Sequence, residues 1–166
     1  MSKKAFRFAI LTISDAGSKG EREDTSGDVI SEMMAGEDFQ ELRRDIVPDE
    51  AGLISSRLRE WCDGGDFDLI LTTGGTGLGP RDVTPEATKA VLDIEVPGIA
   101  EAMRIQTLKN TPLAMLSRSV SGVRSGCLIV NLPGSPKAVR ETLEVALEAI
   151  PHGLEMVKGR RGHPTG

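Results

Sequence analysis

The sequence predicts a single α/β domain whose core is a mainly parallel β-sheet. Three segments, residues 6–13, 67–73 and 127–132, are almost continuously apolar, which is typical of strands buried on both faces. Segments with helical spacing of apolar residues separate these strands, and that alternation indicates βαβ units. The chain of 166 residues has the length of one domain, which we expect to span residues 1–158. We expect residues 159–166 to form a flexible tail.

The predicted helices follow from apolar periodicity and from capping signals. Residues 50–63 place their apolar side chains at intervals of three or four, on one helix face. Thr84 and Pro85 are typical of a helix N-cap and first turn. The predicted helices begin at Thr25, span 50–63, begin at Thr84, span 97–109, and begin at Ser135 as one long helix through Ile150. A more polar strand over 39–47 is placed near an edge of the sheet, and residues 113–124 have no assignment.

The charge and the aromatic content argue against a nucleic-acid-binding protein. Twenty Lys and Arg against 25 Asp and Glu give a formal net charge of −5, so the chain lacks the positive field of a duplex-DNA binder. Aromatic residues make up 3%, which leaves few platforms for stacking single-stranded bases. Because the chain shows neither a signal-peptide core nor an apolar stretch of membrane-spanning length, we expect a cytoplasmic protein without a membrane partner.

Polar residues follow the predicted strands, and these positions indicate where a ligand binds. In a parallel α/β sheet, ligands bind outside the carboxyl ends of the strands. The loops that leave this edge contain Ser14 and Asp15, then Asp49, then residues 73–84 and residues 133–136. We therefore expect these four loops to meet at one site.

The glycine-rich loop TTGGTGLGPRDVTPEAT, residues 72–88, carries the most specific signal in the chain. Its glycines at 74, 75, 77 and 79 carry no Cβ, so successive N–H groups can turn toward one anion. The loop leads into a helix N-terminus, and Arg81 and Asp82 add a cation and a carboxylate. This combination indicates phosphate-ester chemistry with a divalent metal. The loop matches neither the P-loop nor the GxGxxG pattern, and the alternative is a tight strand-to-helix turn.

Asp49 is the second candidate carboxylate at this edge. Asp49 and Asp82 together would hold a Mg²⁺ ion that also contacts phosphate oxygens. The alternative is that Asp49 caps the helix that follows it. Ser14 and Asp15 are either substrate-binding residues or part of an ordinary turn. The turn at 133–135 is likewise either an anion site or a plain helix start.

Seven segments of the chain form a recognisable set. They are ISD at 13–15, DTSG at 24–27, VPDE at 47–50, TTGGTGLGPRDVTPEAT at 72–88, VPGIAEAMR at 96–104, SRSVSGV at 117–123 and NLPGSPKA at 131–138. In these segments the chain resembles the molybdenum-cofactor biosynthesis family, with its MogA-type molybdopterin adenylyltransferases and its MoaB-like relatives. The resemblance implies a three-layer α/β/α domain with a mostly parallel sheet. It also implies assembly as a homotrimer or as a hexamer formed from two trimers.

The resemblance implies an activity as well, the transfer of AMP from Mg-ATP to the terminal phosphate of molybdopterin with release of pyrophosphate. ATP is then the co-substrate, Mg²⁺ the cofactor, and a molybdate-insertion protein the receiver of the product. The family's catalytic aspartates correspond to Asp49 and Asp82, which are also the implied metal ligands. The other candidates are Gly74, Gly75, Thr76, Gly77 and Arg81 for the nucleotide phosphates, and Ser14, Asp15, Ser119, Pro133, Gly134 and Ser135 for the substrate.

A second hypothesis is a MoaB-like oligomer that binds molybdopterin without catalysis. The carboxylate pair favours the transferase. In a protein that only bound an anionic pterin, two negative charges beside the ligand would weaken its binding. An assay of pyrophosphate release separates the two hypotheses.

Overall fold

The computed structural model describes residues 3–159, and within that range six strands form one sheet in the order β2-β1-β3-β6-β5-β4. The strands are β1 Phe6–Ile13, β2 Phe39–Val47, β3 Leu69–Thr73, β4 Ile94–Glu95, β5 Ser121–Arg124 and β6 Cys127–Leu132. Strands β2, β1, β3 and β6 run parallel, whereas β5 and β4 complete the sheet in antiparallel pairs. The mainly parallel sheet predicted from the sequence is confirmed, and so is the edge position of β2.

Helices cover both faces of this sheet. They are α1 Asp15–Ser18, α2 Thr25–Met34, α3 Ala51–Asp63, α4 Thr84–Lys89, α5 Pro97–Thr107, a 3₁₀ helix Pro112–Leu116, α6 Pro136–Leu147 and α7 Ile150–Val157. One apolar cluster packs α2, α5, α6 and α7 against one face, and a second packs α3 and α4 against the other. Strand β1 is apolar throughout because Phe8 and Ile10 belong to the first cluster and Ala9 and Leu11 to the second. The expected three-layer α/β/α arrangement is confirmed.

The predicted long helix from Ser135 is two helices in the structure. Ser135 caps α6 as expected, and its hydroxyl accepts a hydrogen bond from the N–H of Ala138. Helix α6 ends at Leu147, and α7 begins at Ile150. Pro151 explains the break, because proline lacks an N–H and its ring clashes with the carbonyl four residues earlier, here that of Leu147. The apolar stripe continues across the break, which is why periodicity alone suggested one helix.

The predicted cap of the helix after the glycine loop is also wrong by one position. Val83 occupies the N-cap of α4, and Thr84 lies inside its first turn. The Thr84 hydroxyl instead donates a hydrogen bond to the carbonyl of Gly74 at 2.9 Å. Thr84 therefore ties the first turn of α4 to the start of the glycine loop.

The segment 113–124, which had no assignment, contains most of the 3₁₀ helix and all of β5. Strand β5 pairs with β6 and with the two-residue strand β4. A Cβ on Gly122 would overlap the backbone carbonyl oxygen of Ile94 in the neighbouring strand β4, so the strand needs glycine at this point. A strand this short, whose geometry depends on a tertiary contact, leaves little periodicity in the sequence.

The predicted domain and the predicted tail extend beyond the described residues at the two ends of the chain. Residues 1 and 2 of the predicted domain, and residues 160–166 of the predicted tail, lie outside the described residues. Gly159 is described, and it follows α7 and the helix cap at Lys158. Among the described helices, none combines the length and the apolar character that crossing a bilayer requires.

A buried amide connects the layers near the site, and we predict that its loss destabilises the fold. Asn131 Nδ2 donates to the hydroxyls of Thr72 and Thr88 at 2.9 and 3.1 Å, and its Oδ1 accepts from the N–H of Val120 at 3.2 Å. We expect Asn131→Ala to lower the free energy of unfolding by about 2–4 kcal/mol, because buried polar groups lose their partners. Urea denaturation measures this change. A loss below about 0.5 kcal/mol would show that the network is dispensable.

Candidate functional site

The carboxyl ends of the parallel strands open onto a cavity of about 460 Å³. All four loops that were expected to meet at one site contribute to its wall. The contributing candidate residues are Ser14, Asp49, Gly74, Gly75, Gly134 and Ser135. The first turn of α2 forms a further part of the wall, through Thr25 and Ser26. The parallel sheet has thus brought the candidate loops together, as its topology requires.

A second cavity, of about 350 Å³, lies between α5, the 3₁₀ helix and α6. Ser119 and Pro133, two of the candidate substrate residues, line it together with apolar side chains such as Met103 and Leu113. Ser135 lines both cavities, so the two meet at the start of α6. The site is therefore a pair of adjoining compartments rather than one pocket.

Five candidate residues stand outside the walls of both cavities. They are Asp15, Thr76, Gly77, Arg81 and Asp82. Three of them act on the wall residue Asp49 through their charges. We call Asp15, Arg81 and Asp82 the rim of the site, because their charges act on a wall residue from outside the cavity.

Asp49 and Asp15 are joined by a reciprocal pair of hydrogen bonds. The N–H of Asp15 donates to Asp49 Oδ2 at 2.8 Å, and the N–H of Asp49 donates to Asp15 Oδ1 at 3.0 Å. Helix α3 begins at Ala51 with Glu50 at its N-cap position, so the alternative role of Asp49 as a helix cap is excluded. The bonds fix the loop after β1 against the loop after β2.

Arg81 completes this connection from the third strand. Its Nε and Nη2 donate to the two carboxylate oxygens of Asp15 at 3.1 and 2.9 Å, in a bidentate pair. The Arg81 side chain is 59% exposed, so it lies at the mouth of the site. Since its guanidinium already has an anionic partner, a phosphate group would have to share Arg81 with Asp15 or displace it.

The carboxyl groups at this rim respond to their surroundings in opposite directions. Partial burial raises the pKa of Asp49 above its ordinary value, and the nearby charges of Asp15 and Asp82 raise it further. The hydrogen bond from Arg81 lowers the pKa of Asp15, and the bond from the Asp49 N–H adds to this effect. A cation placed beside Asp49 would therefore stabilise the ionised form that its surroundings disfavour.

The first two glycines of the loop are required by the turn itself. Gly74 and Gly75 have φ angles of +100° and +69°, which side chains rarely adopt. A Cβ on Gly74 would overlap the carbonyl oxygen of Ile13, and one on Gly75 would overlap the Thr84 hydroxyl. The alternative explanation of a tight turn is therefore sufficient at these two positions. A phosphate-binding role for them stays a prediction.

The last two glycines of the loop lie against Asp82. A Cβ on Gly77 or on Gly79 would stand 2.9 Å from Asp82 Oδ2, and the Gly79 N–H donates to that same oxygen at 2.9 Å. Asp82 therefore shapes the loop at the same time as it presents a carboxylate at the rim.

The donor set at the rim fits a magnesium ion that shares its ligands with phosphates. Within residues 3–159, no group of three or more His, Cys, Asp or Glu side chains is arranged to hold a metal ion alone. Mg²⁺ bound with a nucleotide commonly uses one or two carboxylates, with phosphate oxygens and waters filling its other positions. Burial and the nearby charge of Asp82 both disfavour the ionised form of Asp49, and such an ion would offset both effects.

A cluster of polar residues at the start of α2 was not predicted from the sequence. Asp24 caps this helix by accepting the N–H of Gly27 at 3.0 Å, and it also accepts the Thr12 hydroxyl at 2.8 Å. Arg44 of β2 donates to Asp24 Oδ2 through Nε and Nη2, at 3.2 and 3.1 Å. The Ser26 hydroxyl then donates to the Gly134 carbonyl at 2.5 Å. The available signal was the Asp-Thr-Ser-Gly capping pattern, since nothing local indicates Arg44.

Comparison with known proteins places this site in a family. The sequence profile described as "Probable molybdopterin binding domain" matches residues 9–152, a range that includes every candidate residue named above. The chain belongs to this family. The resemblance seen in the seven sequence segments is thereby confirmed.

Individual relatives are similar to this chain over nearly its whole length. A molybdopterin adenylyltransferase of Helicobacter pylori is 44% identical over 158 residues, which cover 94% of this chain and 90% of the relative. One of Escherichia coli is 42% identical over 154 residues, covering 89% and 79%. The crystal structure of the molybdopterin biosynthesis enzyme MoaB of Thermus thermophilus is 55% identical with a TM-score of 0.88, covering 93% of this chain and 97% of that one.

We predict opposite effects on stability from neutralising the two hydrogen-bonded aspartates. Because the pKa of Asp49 is raised, its charge destabilises the fold at pH 7, and Asp49→Asn should increase the free energy of unfolding. That gain should disappear as the pH falls through the raised pKa. Because the pKa of Asp15 is lowered, Asp15→Asn should decrease the free energy of unfolding at pH 7. Urea titrations at pH 7 and below pH ~4 check both signs. A destabilised Asp49→Asn variant would contradict the account.

Proposed function

We propose that this protein is a molybdopterin adenylyltransferase of molybdenum-cofactor biosynthesis. It transfers AMP from ATP to the terminal phosphate of molybdopterin and releases pyrophosphate. The observation that carries the proposal is that Asp49 and Asp82 both lie against the glycine loop: a Cβ on Gly75 would stand 3.3 Å from Asp49 Oδ1, and one on Gly77 2.9 Å from Asp82 Oδ2. A site for Mg-ATP requires such carboxylates, whereas they oppose the binding of an anionic pterin alone. Two relatives at 44% and 42% identity bear the name of this activity.

The transfer requires the protein to position the two substrates and does not require a general base. An oxygen of the molybdopterin phosphate attacks the α-phosphorus of ATP, and a new O–P bond forms. The bond from the α-phosphorus to the bridging oxygen breaks, and pyrophosphate leaves with that electron pair. A phosphate monoester is already ionised at neutral pH, so the nucleophile needs no deprotonation. The protein must align two anionic substrates and neutralise their charge.

Each of the two adjoining cavities would bind one of the two substrates. Their volumes, about 460 and 350 Å³, lie within the range of small-molecule sites. The first cavity contains the start of the glycine loop and would take the nucleotide phosphates, with Ser14 and Gly134 as further contacts. The second contains Ser119 and Pro133 and would take the pterin. Ser135 lies where they meet, next to the α6 N-terminus, whose dipole favours an anion.

Charge neutralisation falls to the rim of the site. Asp49 and Asp82 would hold Mg²⁺, which when bound supplies positive charge to the phosphate oxygens. Gly74, Gly75, Thr76 and Gly77 present the loop backbone to the phosphates. Arg81 provides a further cation at the mouth once phosphate competes with Asp15 for it.

We also propose which reaction follows this one, where in the cell the protein acts and which partners it lacks. The adenylylated product is activated for molybdate insertion, so we place a molybdate-insertion protein next in the sequence of reactions. We also propose a cytoplasmic location, where ATP is supplied. We propose no membrane or nucleic-acid partner, since a protein with a net charge of −5 is not attracted to the negative charges of nucleic acids or of anionic lipids.

We predict that Asp82→Asn lowers the rate of pyrophosphate release by a factor on the order of 10². The substitution removes the negative charge of a metal ligand, while an amide oxygen remains to accept the Gly79 N–H. Molybdopterin binding should persist, because a lost negative charge cannot repel an anion. Asp93→Asn is the matched control, since Asp93 also accepts a backbone N–H, that of Ser125 at 2.8 Å, in a different part of the fold.

The wild-type protein is assayed alongside, with ATP and Mg²⁺, with and without molybdopterin. Pterin-dependent pyrophosphate release is the expected result. Binding of the pterin without release of pyrophosphate would favour the non-catalytic oligomer instead. A rate of Asp82→Asn equal to that of Asp93→Asn would remove Asp82 from the mechanism and leave it as a turn residue.

We also propose that the protein assembles as a homotrimer or a homohexamer. The end of α5 and the 3₁₀ helix after it expose large apolar side chains. They are Ile105, Leu108, Leu113, Met115 and Leu116, which are 41–68% exposed. Contiguous apolar surface of this kind is typical of an interface between subunits.

We predict a light-scattering mass of three or six times 17.7 kDa for the wild-type protein. The double substitution Ile105→Glu with Met115→Glu should lower this mass, because it puts charges into the proposed interface. Leu53→Glu is the control, since Leu53 is an exposed leucine on α3, on the other face of the sheet. A monomeric wild-type protein, or an unchanged mass of the double variant, would contradict the assignment.

A further inference from the structure

The side chain of Arg118 crosses from the segment before β5 to the glycine loop. Its Nε donates to the Gly77 carbonyl and its Nη2 to the Asp82 carbonyl, both at 2.7 Å. The backbone N–H of Arg118 also donates to the Thr76 carbonyl at 2.9 Å. A third guanidinium nitrogen, Nη1, pairs with the carboxylate of Glu86 in the first turn of α4. One residue thus holds the loop at Thr76 and Gly77 and again at Asp82.

The fork of Arg118 sets the spacing between two backbone positions that the proposed chemistry uses. Gly77 belongs to the part of the loop assigned to phosphate, and Asp82 carries a carboxylate assigned to Mg²⁺. The guanidinium is planar and rigid, so its two donors fix the carbonyls of Gly77 and Asp82 relative to each other. Between these two anchors the loop contributes its own turn, with Asp82 N–H donating to the Gly79 carbonyl at 3.0 Å.

The backbone that carries Arg118 is itself anchored. Ser119 is 3% exposed, and its carbonyl accepts a hydrogen bond from Arg104 Nη1 of α5 at 2.8 Å. The hydrogen bond from Arg118 also lowers the pKa of Glu86, so the ionised form of this carboxylate is the one that the pair stabilises. Arg118 is therefore mounted on a fixed segment and oriented by a charged partner.

We propose that Arg118 is a positioning residue, which holds Asp82 and the glycine-loop backbone in the arrangement that Mg-ATP requires. This inference rests on the proposed function, and it assigns Arg118 a role through the loop rather than through contact with substrate. Loss of the fork frees the loop to move, and a displacement of about 1 Å at a reacting site costs up to about 10²-fold in rate.

Arg118→Ala tests this role, with Arg124→Ala as the matched control. Arg124 also donates to a backbone carbonyl, that of Val91 at 2.9 Å, and it pairs with Asp63 at 3.1 and 2.9 Å. Both variants lose a part-buried arginine with a comparable set of contacts. The contacts of Arg118 hold the glycine loop, whereas those of Arg124 hold the opposite end of β5.

The first readout is hydrogen exchange of the protein without ligands. We expect Arg118→Ala to accelerate exchange of the amides in residues 74–83 by about tenfold or more, because their hydrogen-bonded turn loses its brace. Arg124→Ala should leave that segment unchanged. Equal exchange of residues 74–83 in the two variants would overturn the proposal, whatever the activity of the wild-type protein.

The second readout is pyrophosphate release as a function of Mg²⁺ concentration. For Arg118→Ala we expect kcat to fall by about 10- to 100-fold and the Mg²⁺ concentration for half-maximal rate to rise, with the KM for molybdopterin unchanged. Arg124→Ala should change neither kcat nor the Mg²⁺ dependence by more than about twofold. An Arg118→Ala profile that matched Arg124→Ala would overturn the proposal.

Arg118→Lys covers the case in which Arg118→Ala does not fold. A single ammonium cannot bridge both carbonyls as the fork does, so this variant should lie between wild type and Arg118→Ala in both readouts. Wild-type values for Arg118→Lys would contradict the fork geometry. If the wild-type protein releases no pyrophosphate, the proposed function fails, while the hydrogen-exchange comparison still decides whether Arg118 braces the loop.

Discussion

Three aspartates, Asp15, Asp49 and Asp82, follow three neighbouring strands of the sheet, and the rest of the site depends on the hydrogen bonds that hold their loops together. Strand β1 lies between β2 and β3, so the loops that follow these three strands leave the sheet side by side. Each loop contributes one of the carboxylates. The reciprocal hydrogen bonds between Asp15 and Asp49, and the bidentate contact from Arg81, hold the loops together. Arg81 compensates Asp15, and Asp49 is left with a raised pKa that a shared cation would relieve.

The glycines and the carboxylates of this site have different roles. Gly74 and Gly75 are needed by the chain to turn past Ile13 and Thr84, whether or not a phosphate binds. The conformation of the turn therefore explains the first two glycines of the loop. The chemistry of the loop depends instead on the carboxylate of Asp82. Asp82 closes the loop on Gly79, and its charge acts on Asp49, which is why it bears most of the proposed mechanism.

The sequence was informative where burial or backbone conformation dictates residue type. Continuous apolar runs predicted β1, β3 and β6, and the sheet edge at which Asp49 and the glycine loop meet followed from the alternation of strands and helices. Contacts between distant residues left no such pattern. Arg44 and Arg118 are ordinary charged residues in sequence, and their roles come from carbonyl and carboxylate groups that the fold brings to them. Pro151 did carry a local signal, since it could have placed the break after α6.

The central claim is that Asp49 and Asp82 form a site for a cation shared with the nucleotide, and calorimetry tests it most directly. ATP is titrated into the wild-type protein and into Asp49→Asn, each with and without Mg²⁺. Because uncompensated carboxylates repel phosphates, the wild-type protein should bind ATP at least about tenfold more tightly with Mg²⁺, and Asp49→Asn should lose most of that difference. Equal affinity of the wild-type protein for ATP in the presence and absence of Mg²⁺ would contradict the account.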